Sequence, residues 1–361
     1  MNSPHLWLAL TPHGFGHAAM TAPVIEEMRR ARPDLRLTIQ TSIPRDFLET
    51  RYGPNFEHVT ELPDFGLRMH SAISIDLDGS AEGYRHLHAQ LQSVIAAEAA
   101  RLVAARPDLV LANVPYVTIA AAAKAGLPVA ALSSLEWADI YGHYLGKRPE
   151  APGIMAEMVA AYNAAKVFIQ VTPSMDMPSL HNLRRVGPVG RAGVERRTEV
   201  ADRLGLGKGS KVGLIAFGGI DHDFDLIAWP VLEGWTWLTT LAVPSGRRDI
   251  QPWARGGIGF SDLIASVDVV VTKPGYGTFV EAALCRIPVL YVPRPDWPEC
   301  PHLDQWLESN TRAMAASPRD LAGEGLEGLL RTLFSLRLPP LTTASGNGEA
   351  AEILLDLLDK G

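Results

Sequence analysis

Residues 267–282 read VDVVVTKPGYGTFVEA, a β-branched apolar run followed by a glycine-rich turn and a helical pattern. Lys273 comes directly after the predicted buried strand, a position at which a lysine is uncommon. Gly275 and Gly277 lie in the turn, where glycine permits a ligand to approach the backbone closely. The stretch therefore predicts a strand–turn–helix unit of a parallel α/β sheet, with polar groups gathered where the strand ends.

The flanking residues extend this pattern in both directions. The informative stretch begins before the strand, at Gly259 and Phe260, and another apolar strand follows at 288–293. Residues 304–305, an aspartate and a glutamine, are predicted to lie in a loop after that strand. Thr278 and Glu281 are spaced as a helix capping box, which would give both side chains a structural role.

The strand–glycine–helix pattern occurs twice along the chain. The first series begins at residues 6–11 and the second at residues 212–217. Between them, residues 185–193 read RVGPVGRAG, a composition that suits a linker. A last amphipathic helix is predicted at 350–358. We therefore predict two Rossmann-like α/β domains, with the bounds 1–188 plus the helix 347–361, and 189–346.

Within the first series, residues 82–106 predict one long amphipathic helix. Parallel sheets bind ligands outside the carboxyl ends of their strands, and two such sheets in one chain generally face each other across a cleft. We therefore expect the functional residues in the loops after the strands.

The first predicted strand leads into His13-Gly14-Phe15-Gly16-His17. The start of the following helix would offer free N–H groups to an anion. A dinucleotide fingerprint needs a glycine at position 19, where there is an alanine, and an acidic residue after the second strand, so NAD is disfavoured. The loop is either a tight βα turn or a site in which His17 acts as a general base near neutral pH.

Two acidic patterns suggest metal sites but lack the features that such sites need. Phe217-Gly218-Gly219 opens the second series and is followed by aspartates within 221–225. An EF-hand would need a glycine and a glutamate where this chain has Leu226 and Leu232, so helix capping explains the aspartates better. Asp76-Leu77-Asp78 matches the Asp-x-Asp pattern of metal-dependent sugar transferases, but three residues recur by chance. We predict no metal site.

A third group of residues follows a strand of the first series. Glu136, Trp137 and His143 combine a carboxylate, an aromatic face and an imidazole. Sugars stack on aromatic rings and hydrogen-bond to carboxylates, so these residues suit an acceptor pocket. Aromatic packing beneath an ordinary loop is the alternative.

Composition limits the classes of function. The 361 residues are 47% hydrophobic and 20% charged, as in ordinary globular proteins. A formal net charge of −7 argues against nucleic acid as the main partner. The two cysteines are too few for a disulfide scaffold. The sequence shows neither the pattern of a signal peptide nor a transmembrane segment of about 20 residues, so a cytoplasmic protein is expected.

Residues 259–305 resemble the donor-binding half of GT-B glycosyltransferases. They are most similar to the branch that contains the peptidoglycan N-acetylglucosaminyltransferase and the plant galactolipid synthases, in which a strand leads to a basic residue, a glycine turn, a threonine and then a glutamate. The His-Gly-Phe-Gly-His-Ala loop at 13–18 and the Lys-Pro-Gly-Tyr-Gly-Thr stretch at 273–278 are also similar to the glycosyltransferase-like amino-terminal region of plant arabinokinases. Those enzymes continue into a sugar-kinase domain, which we do not expect here.

The resemblance implies roles for donor-binding residues. Glu281 would bind the ribose of a nucleotide sugar, and the backbone near Phe260 would meet the base. Asp304 and Gln305 would read the sugar hydroxyls.

The diphosphate would lie against Lys273, the Gly275–Thr278 turn and the two glycine loops, which contain Gly14, Gly16, Gly218 and Gly219. His17 matches the family's loop histidine. The chain departs from the family at 220–221, where Ile-Asp replaces the expected serine.

The resemblance thus implies a GT-B glycosyltransferase of the hexosyl- or N-acetylhexosaminyltransferase type, in which the C-terminal helix returns to the first domain. It would move a sugar from a nucleoside diphosphate sugar, foremost a UDP-sugar, to a small-molecule or glycan acceptor, with no cofactor and no obligatory metal. Two alternatives remain at this point: a non-catalytic module that binds sugar nucleotides, and a nucleotide-sugar epimerase on the same fold.

Overall fold

The computed structural model describes residues 3–70, 74–217, 226–323 and 325–360. Gly218, Gly219 and the aspartates within 221–225 lie outside the described residues. The chain divides into two compact units. The first comprises Met1–His70, Ser74–Val189 and Ser345–Gly361, and the second spans Gly190–Ala344.

The first unit is a parallel sheet covered by helices. Its strands are β1 His5–Leu10, β2 Arg36–Gln40, β3 Glu57–Val59, β4 Leu109–Asn113, β5 Val129–Ser133, β6 Val167–Gln170 and β7 Leu183–Arg185. Its helices are α1 Gly16–Ala31, α2 Arg45–Tyr52, α3 Leu77–Ala89, α4 Leu91–Ala105, α5 Tyr116–Lys124, α6 Trp137–Leu145 and α7 Ala151–Asn163. The strand order is β3-β2-β1-β4-β5-β6-β7.

The second unit repeats this plan. Its strands are β8 Lys211–Ala216, β9 Trp235–Thr239, β10 Ile250–Pro252, β11 Val269–Thr272, β12 Val289–Tyr291 and β13 Ala313–Ala315, in the order β10-β9-β8-β11-β12-β13. Its α-helices are α8 Arg197–Leu204, α9 Phe260–Ser266, α10 Tyr276–Leu284, α11 Cys300–Asn310, α12 Pro318–Leu321 and α13 Gly325–Ser335. Short 3₁₀ turns lie at Leu226–Ala228 and Trp253–Gly256.

Both sheets have the doubly wound order of Rossmann-like folds, and the prediction of two separate parallel sheets is confirmed. The order reverses between β1 and β4 in the first unit and between β8 and β11 in the second. At such a switch point the connections leave the two neighbouring strands toward opposite faces, so their carboxyl ends border a crevice. Each unit therefore presents its loops for ligand binding at that place.

The final helix, α14 Ser345–Lys360, belongs to the first unit and packs on α1. Leu354 is fully buried there, and Arg32 contacts Asp359 at 2.7 Å. The helix begins five residues earlier than its predicted start at 350. Gly346 explains the early start, because its N–H donates to Pro188 O at 3.0 Å, an approach that a side chain would obstruct.

The predicted single helix over 82–106 is also wrong, because the chain breaks at Gln90 into α3 and α4. The apolar stripe is nevertheless real, since Leu87, Leu91 and Ile95 are all buried. The two halves pack on different neighbours: α3 contacts α6 and α7, whereas α4 packs on α5. Tertiary packing therefore overrides a pattern that is continuous in the sequence.

The central strands are apolar throughout because helices cover both faces of each sheet. In the second unit Trp229 and Trp237 are buried in the core and meet edge to face at 4.8 Å. Within the residues that the structure describes, no helix combines the length and apolar character that crossing a bilayer demands.

Candidate functional site

At the switch point of the first unit lies a group of side chains that we call the histidine cluster: His13, His17, Asn113 and Trp137. His17 Nδ1 lies 2.5 Å from Asn113 Oδ1. The ring of Trp137 lies 5.4 Å from that of His13 and 6.3 Å from that of His17. Residues that are far apart in the sequence thus meet at one place.

The topology explains this meeting. Asn113 is the last residue of β4 and pairs in register with Leu10, the last residue of β1. His17 lies in the first turn of α1, which follows β1 directly. Because β1 and β4 are neighbours, the polar residue that ends β4 reaches the histidine that follows β1.

His17 is held as a neutral ring in a defined orientation. Burial lowers its pKa, and the hydrogen bond to Asn113 opposes that effect only in part. The Asn113 amide nitrogen is directed toward Met20 Sδ at 3.3 Å, so its oxygen faces His17 and accepts from Nδ1–H. This arrangement leaves Nε2 as the basic nitrogen of the ring.

The start of α1 suits an anion. Gly14 has a φ of +76°, which favours glycine, and a side chain at Gly14 or Gly16 would meet no atom within 4 Å. The first turn of α1 contains no acidic residue, and Phe15 at the N-cap position supplies no side-chain hydrogen bond. Free N–H groups at a helix N-terminus attract negative charge.

The three predicted acceptor residues have different surroundings. Glu136 is fully buried and caps α6, accepting from the N–H groups of Ala138 at 2.5 Å and Asp139 at 2.7 Å. Burial above all, and the charge of Asp139, raise the pKa of Glu136 to about 8. Trp137 is buried in the histidine cluster, where its Nε1 donates to Thr11 Oγ1 at 3.4 Å. His143 is exposed near the other end of α6, so the structure joins only Trp137 to His17.

In the second unit the described donor residues of the prediction lie at the carboxyl end of β11 and on α9, α10 and α11. Lys273 follows β11, and burial together with the charge of Arg294 lowers its pKa to about 8. Gly275 is the N-cap of α10, with open space around it and no side-chain cap. Gly277 and Thr278 form the first turn of α10, which carries no acidic residue.

Glu281 does not belong to a capping box, because Gly275, not Thr278, is the N-cap of α10. Its carboxylate is buried and accepts from Ser261 Oγ at 3.1 Å. Ser261 follows Phe260 on α9, so this bond links the segment predicted to meet the base to the residue predicted to bind the ribose. Phe260 itself is half-buried against Trp253, at 5.9 Å between ring centroids.

The predicted loop at Asp304 and Gln305 is wrong, because both residues lie on α11. Pro301 suits the first turn of a helix, and Leu303 and Leu307 bury one face of it. Gln305 is exposed. Burial, with the nearby charge of Glu308, raises the pKa of Asp304 to about 7, and among the described residues its buried Oδ1 has no hydrogen-bond partner.

Sequence reasoning missed two residues, Asn113 and Arg294. Both are polar residues at the end of an apolar strand or just after it, and that position is the feature by which the sequence identifies them. Asn113 lies near the end of an apolar run and Arg294 lies between two prolines, so neither residue is part of a recognisable motif.

The Asp-x-Asp pattern has a structural explanation. Asp76 is the N-cap of α3 and accepts from Gly79 N at 2.8 Å, and Asp78 forms an exposed ion pair with Arg148. Over the described ranges, no three His, Cys, Asp or Glu side chains are grouped so that they could hold a metal ion.

Comparison with known proteins identifies one curated relative. The chain is 27% identical over 331 residues to an L-arabinokinase of Arabidopsis thaliana, a match that covers 89% of this chain. The chain spans 31% of the length of that relative. No family model matches the sequence.

Solved structures match over the whole chain. The spinosyn forosaminyltransferase SpnP is 13% identical, with a TM-score of 0.60 over 100% of this chain and 96% of that one. The glycosyltransferase VinC, in complex with dTDP, is 15% identical, with a TM-score of 0.57 over 99% of this chain and 100% of that one. At these identities the likeness shows the fold, which is GT-B.

Proposed function

We propose that the protein is a glycosyltransferase that moves a sugar from a nucleoside diphosphate sugar, foremost a UDP-sugar, to a hydroxyl of a small-molecule or glycan acceptor. The observation that carries this proposal is the histidine cluster: a buried neutral imidazole, oriented by Asn113, beside an uncapped helix start. The GT-B fold and the solved glycosyltransferases that share it support the same function.

In the proposed reaction His17 Nε2 removes the proton of the acceptor hydroxyl. The acceptor oxygen then forms a bond to the anomeric carbon of the donor sugar, and the bond from that carbon to the diphosphate oxygen breaks. The nucleoside diphosphate leaves with the electron pair. A ring that is neutral at pH 7 is the form that can accept a proton, and the buried surroundings of His17 favour that form.

The second unit would bind the donor. Glu281, held by Ser261, would accept hydrogen bonds from the ribose hydroxyls, with the base near the backbone of Phe260. The diphosphate would lie at the start of α10, between Gly275 and Thr278 and against Lys273, where N–H groups and a cation stabilise the leaving charge without a metal. Gly218 and Gly219 would add backbone contacts.

The remaining residues would contact the sugars. Asp304, whose buried oxygen has no partner within the described part of the chain, would accept from a donor-sugar hydroxyl, and Gln305 would reach a second hydroxyl. On the acceptor side, Trp137 would supply an apolar wall and Glu136 would hold the start of α6. His143 would contact the acceptor from the exposed face of α6.

A second candidate function is sugar-nucleotide binding without catalysis. The observation that favours it is the curated relative, which is named for a kinase and is matched over only 31% of its length. A region of that kind could recognise a sugar nucleotide and leave the chemistry to another part of the protein.

Two measurements test these functions. Calorimetric titration with UDP, dTDP, ADP and GDP identifies the base, and failure to bind any of them would contradict both candidates. Incubation with the matching nucleotide sugar and a panel of hydroxyl acceptors is then analysed for products. A glycoside with free nucleoside diphosphate supports the transferase, a free epimerised sugar indicates an epimerase, and binding without turnover favours the binding module.

A further inference from the structure

A basic residue follows each of two adjacent strands of the second unit. Lys273 is the residue after β11, and Arg294 lies three residues after β12. The two strands are parallel, with Thr272 opposite Tyr291 and with Val292 N donating to Thr272 O at 2.9 Å. Both cations therefore lie at the carboxyl-terminal edge of the sheet, and Lys273 directly precedes the uncapped start of α10.

Arg294 is buried at this edge, with only 7% of its surface exposed. Its guanidinium lies over the ring of Trp297 at 5.2 Å and is 3.9 Å from the carboxylate of Asp296. The hydrogen bond from Trp297 Nε1 to Glu299 at 3.3 Å holds the ring in place. The guanidinium is thus fixed by packing, as a ligand-binding arginine needs to be.

The two cations act on each other. After burial, the charge of Arg294 is the strongest influence that lowers the pKa of Lys273, whereas the charges of Cys300 and Glu299 act in the opposite direction. Two like charges at a partly dehydrated edge destabilise each other, and an oxyanion placed between them would reverse that effect. Arg294 and Lys273 thus bring two positive charges to an edge at which Asp296 and Glu299 are the nearby carboxylates.

We propose that Arg294 and Lys273 together form a two-cation subsite that binds an oxyanion of the donor. The oxyanion is either the diphosphate or a carboxylate on the donor sugar, since both have the charge and geometry that a guanidinium recognises. The identity of the ligand rests on the proposed function, whereas the anion site itself does not.

Substitution of Arg294 tests the subsite by calorimetry on the full chain. The probes are inorganic pyrophosphate, UDP, UDP-glucose and UDP-glucuronic acid. Arg294→Gln should weaken the binding of the anion that occupies the subsite about 10- to 100-fold, the range for charge-assisted hydrogen bonds. Arg294→Lys should recover part of the lost affinity. Arg319→Gln, an exposed arginine on α12, is the matched control and should change nothing.

The probes separate the two sources of the anion. An equal loss for UDP, UDP-glucose and pyrophosphate assigns the subsite to the diphosphate, and a loss confined to UDP-glucuronic acid assigns it to a sugar carboxylate. Unchanged affinity of a folded Arg294→Gln variant for all four probes overturns the proposal. If the wild type binds pyrophosphate through Arg294 but binds no nucleotide, the proposed function fails and the subsite stands; if it binds none of them, both fail.

A second measurement needs no substitution of Arg294. An oxyanion at the subsite favours charged Lys273, whose pKa in the free protein is about 8. Binding at pH 8 should therefore take up a fraction of a proton, measured by titration in buffers of different ionisation enthalpy. Lys273→Met should abolish that uptake, and an uptake that persists unchanged in this variant would contradict the role of Lys273.

Discussion

His17 illustrates how the surroundings of one residue decide its chemistry. In water an imidazole is about half charged near pH 6.5, but burial lowers the pKa of His17 while Asn113 holds its Nδ1–H. The ring is thus neutral and oriented, as a general base requires. His13 lies in the same loop and contacts Trp137.

His17→Ala should lower turnover about 10²- to 10⁴-fold, the usual contribution of a general base. Affinity for the nucleoside diphosphate should remain nearly unchanged, because the base acts on the acceptor. Steady-state rates and calorimetry measure the two quantities separately. His13→Ala is the control and should lose less activity; an equal loss of binding and turnover in His17→Ala would instead identify a phosphate ligand.

The pH profile should reflect the lowered pKa of His17. Activity should rise with pH through an acidic limb that lies below pH 6.5, since only the neutral ring accepts a proton. Asn113→Asp would place a carboxylate beside the ring, favour the charged form and move the limb to higher pH. Rates measured from pH 4.5 to 8 on the wild type and on Asn113→Asp check the prediction. An acidic limb that does not move in Asn113→Asp would contradict the role of Asn113.

Glu281→Ala should weaken nucleotide binding by about 1–3 kcal/mol, the range for lost hydrogen bonds to a charged group. Ser261→Ala is the matched control, because it removes the hydrogen bond between α9 and α10 but leaves the carboxylate. Calorimetry and melting temperature are measured on both variants. A lower melting temperature with unchanged affinity in Glu281→Ala would show that the carboxylate only joins the two helices.

At the scale of elements, the start of α5 is stabilised by a side chain from outside the helix. α5 follows Pro115, which has no capping side chain, and its start is held instead by Asp64 from a distant loop. Asp64 accepts from Val117 N at 2.8 Å, while its buried Oδ1 has no partner among the described residues. Burial above all raises the pKa of Asp64 to about 7.

This carboxyl should make stability depend on pH. Because the pKa of Asp64 is higher in the folded protein than in the unfolded chain, the folded state binds the extra proton between about pH 4 and 7. Stability is therefore lost as pH rises through that interval, by at most about 1.4 kcal/mol per unit.

Asp64→Asn keeps an oxygen that can accept from Val117 N but does not ionise, so it should flatten this dependence and stabilise the protein at pH 8. Urea unfolding at pH 5, 6, 7 and 8 checks the prediction. A wild-type slope that Asp64→Asn leaves intact would assign the effect to other carboxyls, of which Glu136 is the first to examine.

At the scale of the whole molecule, the first unit is completed by the last helix of the chain. Leu354→Ala in α14 should destabilise that unit by about 2–5 kcal/mol through the cavity that it leaves. Hydrogen exchange should show the loss of protection in α1, on which α14 packs, rather than in α10. Leu330→Ala in α13 is the control for the second unit, and equal losses in both units for both variants would contradict the division of the chain.

Much of this architecture was predictable from the residues. The alternation of apolar runs with helical patterns predicts both sheets, and the strand predicted at 288–293 contains β12. The glycine loop with Gly14 and Gly16 follows β1, and Lys273 follows β11, as expected. These features are local, because strand and turn preferences act over a few residues.

The contacts that give the candidate sites their chemistry are not local. His17 and Asn113 are 96 positions apart, and Ser261 and Glu281 are 20 apart on different helices. Arg294 acts on Lys273 from the end of the adjacent strand. The sequence by itself determined which residues follow strands, whereas only the tertiary structure decided which strands are neighbours. The order of the strands in each sheet brings these polar residues together and buries them away from water. Their contacts with one another and their burial together set their pKa values.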